Sequence, residues 1–173
     1  LTTSLRQKIK SKLFGPNYAY SISGGAKLNP VVAQFLEMLD IQILEGYGLT
    51  ETCVATNVNR PDKNKIGTVG PRLAPDIEIR IESDGEILYR GPNVEKGYFK
   101  RPTSTKAAWD SEGWFHTGDL GSLDSDGYLK IEGRKKEILV TSYGKNIAPE
   151  PIEQLLKQSP FISQALLVGD GRP

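Results

Sequence analysis

The stretch GYGLTET, Gly46 to Thr52, sets a tyrosine between two glycines and a carboxylate between two hydroxyls. Glycines let a ligand approach the backbone closely, and Tyr47 offers a flat face to a base. Thr50 and Thr52 can hydrogen-bond phosphate oxygens. Glu51 can hold Mg²⁺, an ion usually bound through one or two carboxylates plus substrate phosphates. The plainer reading of the same residues is a strand end with a turn. SISGGAKL adds a glycine pair, Gly24-Gly25, ahead of Ala26. GWFHTGDLG holds Asp119, which can take both hydroxyls of a ribose or can simply be a turn aspartate. His116 and Cys53 are the only residues of their types. Two such ligands fall short of a metal site, so His116 reads as structural and Cys53 as a small buried hydrophobe. GRKKE, from Gly133, reads as a solvated basic face. DSDG, from Asp124, has the wrong spacing for an EF-hand, and no G-x-x-x-x-G-K-[ST] loop is present.

The elements that must position these residues change along the chain. Leu5, Ile9 and Leu13 recur every four residues, with Thr3 or Ser4 as cap and Gly15-Pro16 as stop, which predicts an amphipathic helix. YAYSISGGA predicts a short buried strand. NPVVAQFLEML opens with an Asn cap and Pro30, and presents Val32, Phe35, Leu36 and Leu39 as one helical face. IQILEGYG predicts a second strand, so the three form a βαβ unit with parallel strands. The GYGLTET site then lies at the carboxyl end of a parallel strand, where open α/β sheets bind ligands.

From about Lys65 the pattern becomes alternating. Asp84-Gly85 and Asp126-Gly127 are hairpin turns that need positive φ. Between them STKAAWDSEGWF has room for one helical turn. An antiparallel β subdomain is expected here. After Arg134, EILVTS predicts a strand turning at Tyr143-Gly144. APEPIEQLLKQ predicts a helix with Ile152, Leu155 and Leu156 facing a core, and ISQALLVGD a last strand.

Composition narrows the class. The 173 residues are 38% apolar and 25% charged, as in globular proteins. A net charge of +1 gives no field toward nucleic acid. One cysteine excludes an intrachain disulfide and fits a reducing, cytoplasmic setting. No apolar run approaches the roughly 20 residues that a bilayer span needs. A start at LTTSLRQ without Met and a stop at GDGRP lead to the expectation of a chain cut from something longer.

SGGAKL, GYGLTET, GWFHTGDLG and GRKKEILVTSYGKNIAPEPIE resemble, in order and approximate spacing, the adenylate-forming (AMP-binding) superfamily. That superfamily holds acyl- and aryl-CoA synthetases, luciferases and peptide-synthetase adenylation domains. VTSYGKNIAPEPIE looks most like the long-chain fatty-acyl-CoA synthetase branch. The resemblance implies a mixed α+β fold in three parts. Residues 1–64 would be the rear of the α/β core of the large AMP-binding domain, 65–133 the antiparallel β subdomain, and 134–173 the beginning of a small α+β C-terminal domain. It implies ATP-dependent activation of a fatty acid to an acyl-adenylate, then thioester formation. ATP/AMP, Mg²⁺ and CoA would be the cofactors, and fatty acid with CoA or an acyl carrier protein the partners, with no nucleic acid; peripheral membrane contact is left open. Carried over by residue, Tyr47 would lie against adenine, with Gly25 and Ala26 lining the adenine and acyl side. Thr50 would bind the α-phosphate and Glu51 the Mg²⁺, these two being the catalytic pair. Asp119 and Arg134 would hold the ribose hydroxyls. Lys136 would be the hinge, and Gly144 would lie on the loop lining the pantetheine channel. The family's Ser/Thr/Gly-rich phosphate loop and its C-terminal catalytic lysine are not matched, so the chain alone is expected to be inactive. The alternatives are an acyl-carrier-protein or aryl-acid ligase of the same superfamily, and a non-catalytic nucleotide-binding or interaction module.

Overall fold

The apolar spacing of the first residues does form a helix, α1, Thr3–Phe14, in the computed structural model, which describes residues 2–169. Gly15 ends it in the left-handed region at φ 88° and donates its N–H to Ser11 O. The N-cap is Thr2, one residue before the expected Thr3 or Ser4, and its side chain makes no capping bond.

The βαβ unit follows as β1, Ser21–Ser23, α2, Pro30–Met38, and β2, Ile43–Leu49. β1 and β2 are parallel, with Ile22 opposite Leu44. Pro30 starts α2, where its missing N–H costs nothing. Asn29 caps it: Oδ1 accepts from Val31 N at 2.8 Å. Two expectations of burial fail here. Ile22 of β1 is 66% exposed, and Phe35 of α2 is 58% exposed. The helix carries two apolar stripes, and the stripe Ala33–Leu36–Leu39 is the one turned inward, so Val32 and Phe35 stay outside.

A strand that the sequence reading did not anticipate, β3, Val54–Val58, pairs antiparallel with the other edge of β2. Its connection has no Asx-Gly signal. It is a 3-10 turn, Thr50–Thr52, followed by Cys53 and Val54 at φ 50° and 82°. Left-handed values are rare for such residues, so pattern reasoning had nothing to read.

The antiparallel sheet is as expected, with order β4-β5-β6-β7. Its strands are β4, Glu78–Ile81, β5, Glu86–Arg90, β6, Phe115–Leu123, and β7, Leu129–Arg134. Gly85 and Gly127 take φ 88° and 77° in the two hairpin turns. A short helix, α3, Pro102–Ala108, fills the β5–β6 connection. Ile77, Ile87, Tyr89 and Leu129 are the buried core, and Tyr47, Val69 and Ile131 pack against it. Tyr47 comes from β2, so this core joins the two sheets. The intervening loop is bound to both: Val69 N donates to Leu129 O at 2.8 Å and Leu73 N to Thr56 O at 2.7 Å.

Beyond Arg134 the expected strand EILVTS is only partly a strand. A 3-10 turn, Lys135–Glu137, takes its start, and β8, Leu139–Val140, pairs with β9, Asn146–Ile147. The helix is α4, Pro149–Leu156. Its apolar residues Ile152, Leu155 and Leu156 are exposed rather than facing a core. The last expected strand, ISQALLVGD, is absent over residues 162–169, and Asp170 lies outside the described residues. No helix among them is long and apolar enough to cross a membrane.

Candidate nucleotide site

The second glycine of GYGLTET answers to the fold. At Gly48 the β2–β3 register shifts, and a Cβ there would lie 1.4 Å from Val54 O. Only glycine lets β3 come so close. Between Gly46 and Gly48, Tyr47 turns toward the antiparallel sheet. Its ring sits 6.3 Å from that of Tyr89, and its hydroxyl donates to Asp119 Oδ2 at 2.5 Å.

Asp119 lies in mid-β6, not in a turn, and is 4% exposed. Its register partner on β7 is Arg134, whose Nε is 2.9 Å from Asp119 Oδ1. Burial pushes the Asp119 carboxyl up, against the Tyr47 hydrogen bond and the Arg134 charge, which pull it down. Burial and the same carboxylate push the Tyr47 phenol far above its ordinary value, so it stays a donor. A carboxylate offers about four acceptor sites. Two are taken here, and the others remain for a ligand.

These groups line a cavity of about 210 Å³, together with Gly25 and Ala26 from the end of β1. Gly25 has φ 81°, as the turn after the strand requires. Sequence reasoning missed three charged lining residues, Lys27, Glu45 and Glu150. Glu45 precedes the motif directly and is buried on β2. It accepts from Leu28 N at 3.1 Å, and burial raises its carboxyl. A charged residue at a strand position was the available signal.

Thr50 and Glu51 open into an adjoining cleft of about 980 Å³, also lined by Tyr98, Arg134, Lys135 and Lys136. Arg134 borders both spaces. Thr52 does not belong with Thr50 as a phosphate ligand. It is fully buried, and its Oγ1 accepts from Leu49 N at 2.9 Å while facing Leu49 O and Val54 O. It holds the 3-10 turn closed. Glu51 Oε1 accepts from the Tyr98 hydroxyl at 2.7 Å.

GRKKE is exposed from Arg134 to Glu137, as expected of a solvated face, but two of its cations are paired. Arg134 pairs with Asp119, and Lys135 Nζ reaches Asp84 at 2.6 Å and Glu86 at 2.8 Å. These bonds raise the Lys135 ammonium. Burial would raise Glu86, but Lys135, His116 and the Gly118 N–H outweigh it and leave that carboxyl below its usual range. His116 is 3.3 Å from Glu86 and 3.8 Å from Asp110, and it lines the same cleft as Thr50 and Glu51. Cys53 is exposed, not buried, because the left-handed turn points it outward. Gly144, at φ 75° in the β8–β9 turn, lines neither space.

No cluster of three or more His, Cys, Asp or Glu that could hold a metal occurs among the described residues. Glu51 is a single carboxylate beside a cleft. That donor set fits Mg²⁺ carried in with phosphates and does not fit a dedicated protein cage.

The chain is similar to known proteins over most of its length. A family profile described as AMP-binding enzyme matches residues 2–99, and one described as AMP-binding enzyme C-terminal domain matches residues 136–173. A long-chain-fatty-acid–CoA ligase of Mycobacterium bovis is 45% identical over 167 residues, which are 96% of this chain and 27% of that protein. A long-chain-fatty-acid–CoA ligase of Homo sapiens is 39% identical over 97% of this chain and 26% of its own length. The chain thus spans about a quarter of the curated relatives it matches. Among solved structures, O-succinylbenzoate coenzyme A synthetase of Bacillus subtilis in complex with AMP superposes with a TM-score of 0.77 at 30% identity, over 94% of this chain and 37% of that one. ATP-bound MatB of Rhodopseudomonas palustris gives 0.75 at 34% identity, over 87% and 32%.

Proposed function

This chain belongs to the AMP-binding enzyme family, and from that premise we propose that it supplies the adenosine-holding part of an acid–thiol ligase. The ligase activates a long-chain fatty acid with ATP and passes the acyl group to CoA. The acid and the acceptor are those in the names of the similar ligases.

One observation carries the reading. Gly25, Ala26, Tyr47, Asp119 and Arg134, spread over 110 residues of sequence, line one cavity, and Thr50 and Glu51 stand in the cleft that Arg134 shares with it. In that arrangement the Tyr47 ring and the Gly25-Ala26 backbone flank the adenine. Asp119 and Arg134 take the ribose hydroxyls, and the Thr50 hydroxyl binds the α-phosphate. Glu51 holds Mg²⁺, which when bound offsets the phosphate charge. Residues 1–64, 65–133 and 134–173 are the rear of the large domain, its β subdomain and the start of the small domain. The match of a C-terminal-domain profile from residue 136 supports the last boundary. Lys136 is the pivot between the two domains, and Gly144 belongs to the loop that reaches the pantetheine channel when the small domain turns.

The chemistry suits such a frame. A carboxylate oxygen attacks the α-phosphorus, and the bond to pyrophosphate breaks. The CoA thiolate then attacks the carbonyl of the mixed anhydride, and AMP leaves. Little bond-making falls to the protein, so positioning and charge carry the rate. The two steps need different groups near one phosphate, which a rotating domain provides.

The experiment compares Asp119→Ala with Glu51→Gln in the gene product that carries this chain. Asp119→Ala raises the KM for ATP, because the ribose contact is the same in ground and transition states. Glu51→Gln mainly lowers kcat and shifts the Mg²⁺ dependence, because its contact strengthens as charge develops. Equal effects on KM alone would remove these roles, and no ATP–pyrophosphate exchange in the wild type would remove the activity.

A further inference from the structure

Glu51 stands on a three-residue 3-10 turn, a short support for a side chain with three rotatable bonds. What steadies it comes from a different part of the chain. Residues 93–98, in the β5–β6 connection, clasp the turn at three points. Asn93 Nδ2 donates to Thr52 O at 3.1 Å, Glu95 N donates to Glu51 O at 2.8 Å, and the Tyr98 hydroxyl donates to Glu51 Oε1 at 2.7 Å. Tyr98 is itself held. Its N–H donates to Thr105 Oγ1 on α3 at 2.9 Å, and its ring meets Trp109 edge-on at 5.3 Å. Trp109 in turn packs against Phe115 of β6, its ring tilted by 40° at 4.7 Å. Gly97 lets the chain make this approach: at φ 137°, a Cβ there would lie 2.4 Å from Thr105 Cγ2. A path of packed rings and hydrogen bonds therefore runs from the antiparallel sheet to one oxygen of Glu51. Its other oxygen, Oε2, has no hydrogen-bond or ion-pair partner among the described residues.

We propose that Tyr98 is a positioning residue for this site, whose hydroxyl fixes Glu51 so that Oε2 is presented to the metal of a bound metal–nucleotide. The inference rests on the function proposed above and adds to it a residue outside GYGLTET. A group that orients a metal ligand commonly matters to metal affinity by about 10–100-fold.

The test is a double-mutant cycle in the gene product that carries this chain: wild type, Tyr98→Phe, Glu51→Gln and both together. Phe keeps the ring against Trp109, so the fold is preserved. The readout is Mn²⁺ binding in the presence of ATP, followed by the electron paramagnetic resonance of free Mn²⁺, beside the Mg²⁺ dependence of kcat. Tyr98→Phe is expected to weaken nucleotide-dependent Mn²⁺ binding about tenfold. ATP binding without metal should be unchanged, and Tyr98→Phe should add no further loss to Glu51→Gln. Wild-type Mn²⁺ affinity in Tyr98→Phe, or losses that add in the double variant, would overturn the proposal. A wild type that binds Mn²⁺ with ATP but forms no acyl-adenylate would overturn the activity alone, and the cycle would still decide the role of Tyr98. A wild type with no nucleotide-dependent Mn²⁺ binding would overturn both.

Discussion

Tyr47→Phe deletes a single hydroxyl from the contact between β2 and β6. That hydroxyl donates to Asp119 Oδ2 at 2.5 Å. Asp119 is 4% exposed, so bulk water does not replace the lost donor. A hydrogen bond to a charged group contributes about 1.5–3 kcal/mol net, and one between neutral groups about 1 kcal/mol. Arg134 Nε still holds Oδ1 at 2.9 Å, which keeps the expected cost near the lower end, about 1.5–2 kcal/mol. The cost varies with pH, and its sign follows from Asp119. Burial raises that carboxyl in the folded protein, while Tyr47 and Arg134 pull it down. An acid raised on folding contributes stability that is fully present below its unfolded pKa and is lost as pH rises through its folded pKa. Removing Tyr47's hydroxyl raises Asp119 further and deepens that loss. Tyr47→Phe therefore trails the wild type most at pH values above the folded titration of Asp119, where the carboxyl carries its charge. The gap narrows as pH falls through the folded titration, toward the cost of one neutral bond. Urea denaturation of both proteins, repeated from mildly acidic to neutral pH, measures it. A gap that stays constant with pH, or equal stability at neutral pH, would refute the reasoning.

Gly48→Ala is expected to destabilise the protein by more than about 3 kcal/mol, beyond ordinary overpacking, since its Cβ would fall 1.4 Å from the backbone oxygen of Val54. Gly113→Ala, whose Cβ meets nothing within 4 Å, should lose only about 1 kcal/mol for its positive φ; similar melting temperatures for the two would show that the close approach does not matter. Lys136→Pro, in the 3-10 turn Lys135–Glu137, fixes φ near −65° at the proposed pivot. It should spare ATP–pyrophosphate exchange and cripple thioester formation from preformed acyl-adenylate; an equal fall in both would point to a folding defect and remove Lys136 as the hinge.

The sequence by itself determined the elements whose signals are local. Asn29 and Pro30 start α2 where a cap and a proline must, and Asp84-Gly85 and Asp126-Gly127 turn the two hairpins because glycine takes positive φ freely. GYGLTET and GDL stood out as candidate site residues from their chemistry, and their order along the chain pointed to the family. What the sequence left undecided depends on contacts between distant segments. Val32 and Phe35 have the same apolar character as Ala33 and Leu39, and only packing on β2 decided which stripe was buried. β3 was hidden because its turn is closed by the Thr52 hydroxyl and two non-glycine residues in left-handed conformations, which no local pattern announces. Thr50 and Thr52 are the same residue type two positions apart. The 3-10 turn directs one into the cleft and spends the other on its own backbone. The pairing of Tyr47 with Asp119, 72 residues later, and of Glu51 with Tyr98, 47 residues later, exists only because the antiparallel sheet folds back on β2. Side-chain hydrogen bonds reach about 3 Å, so which donor meets which carboxylate is settled by tertiary structure alone.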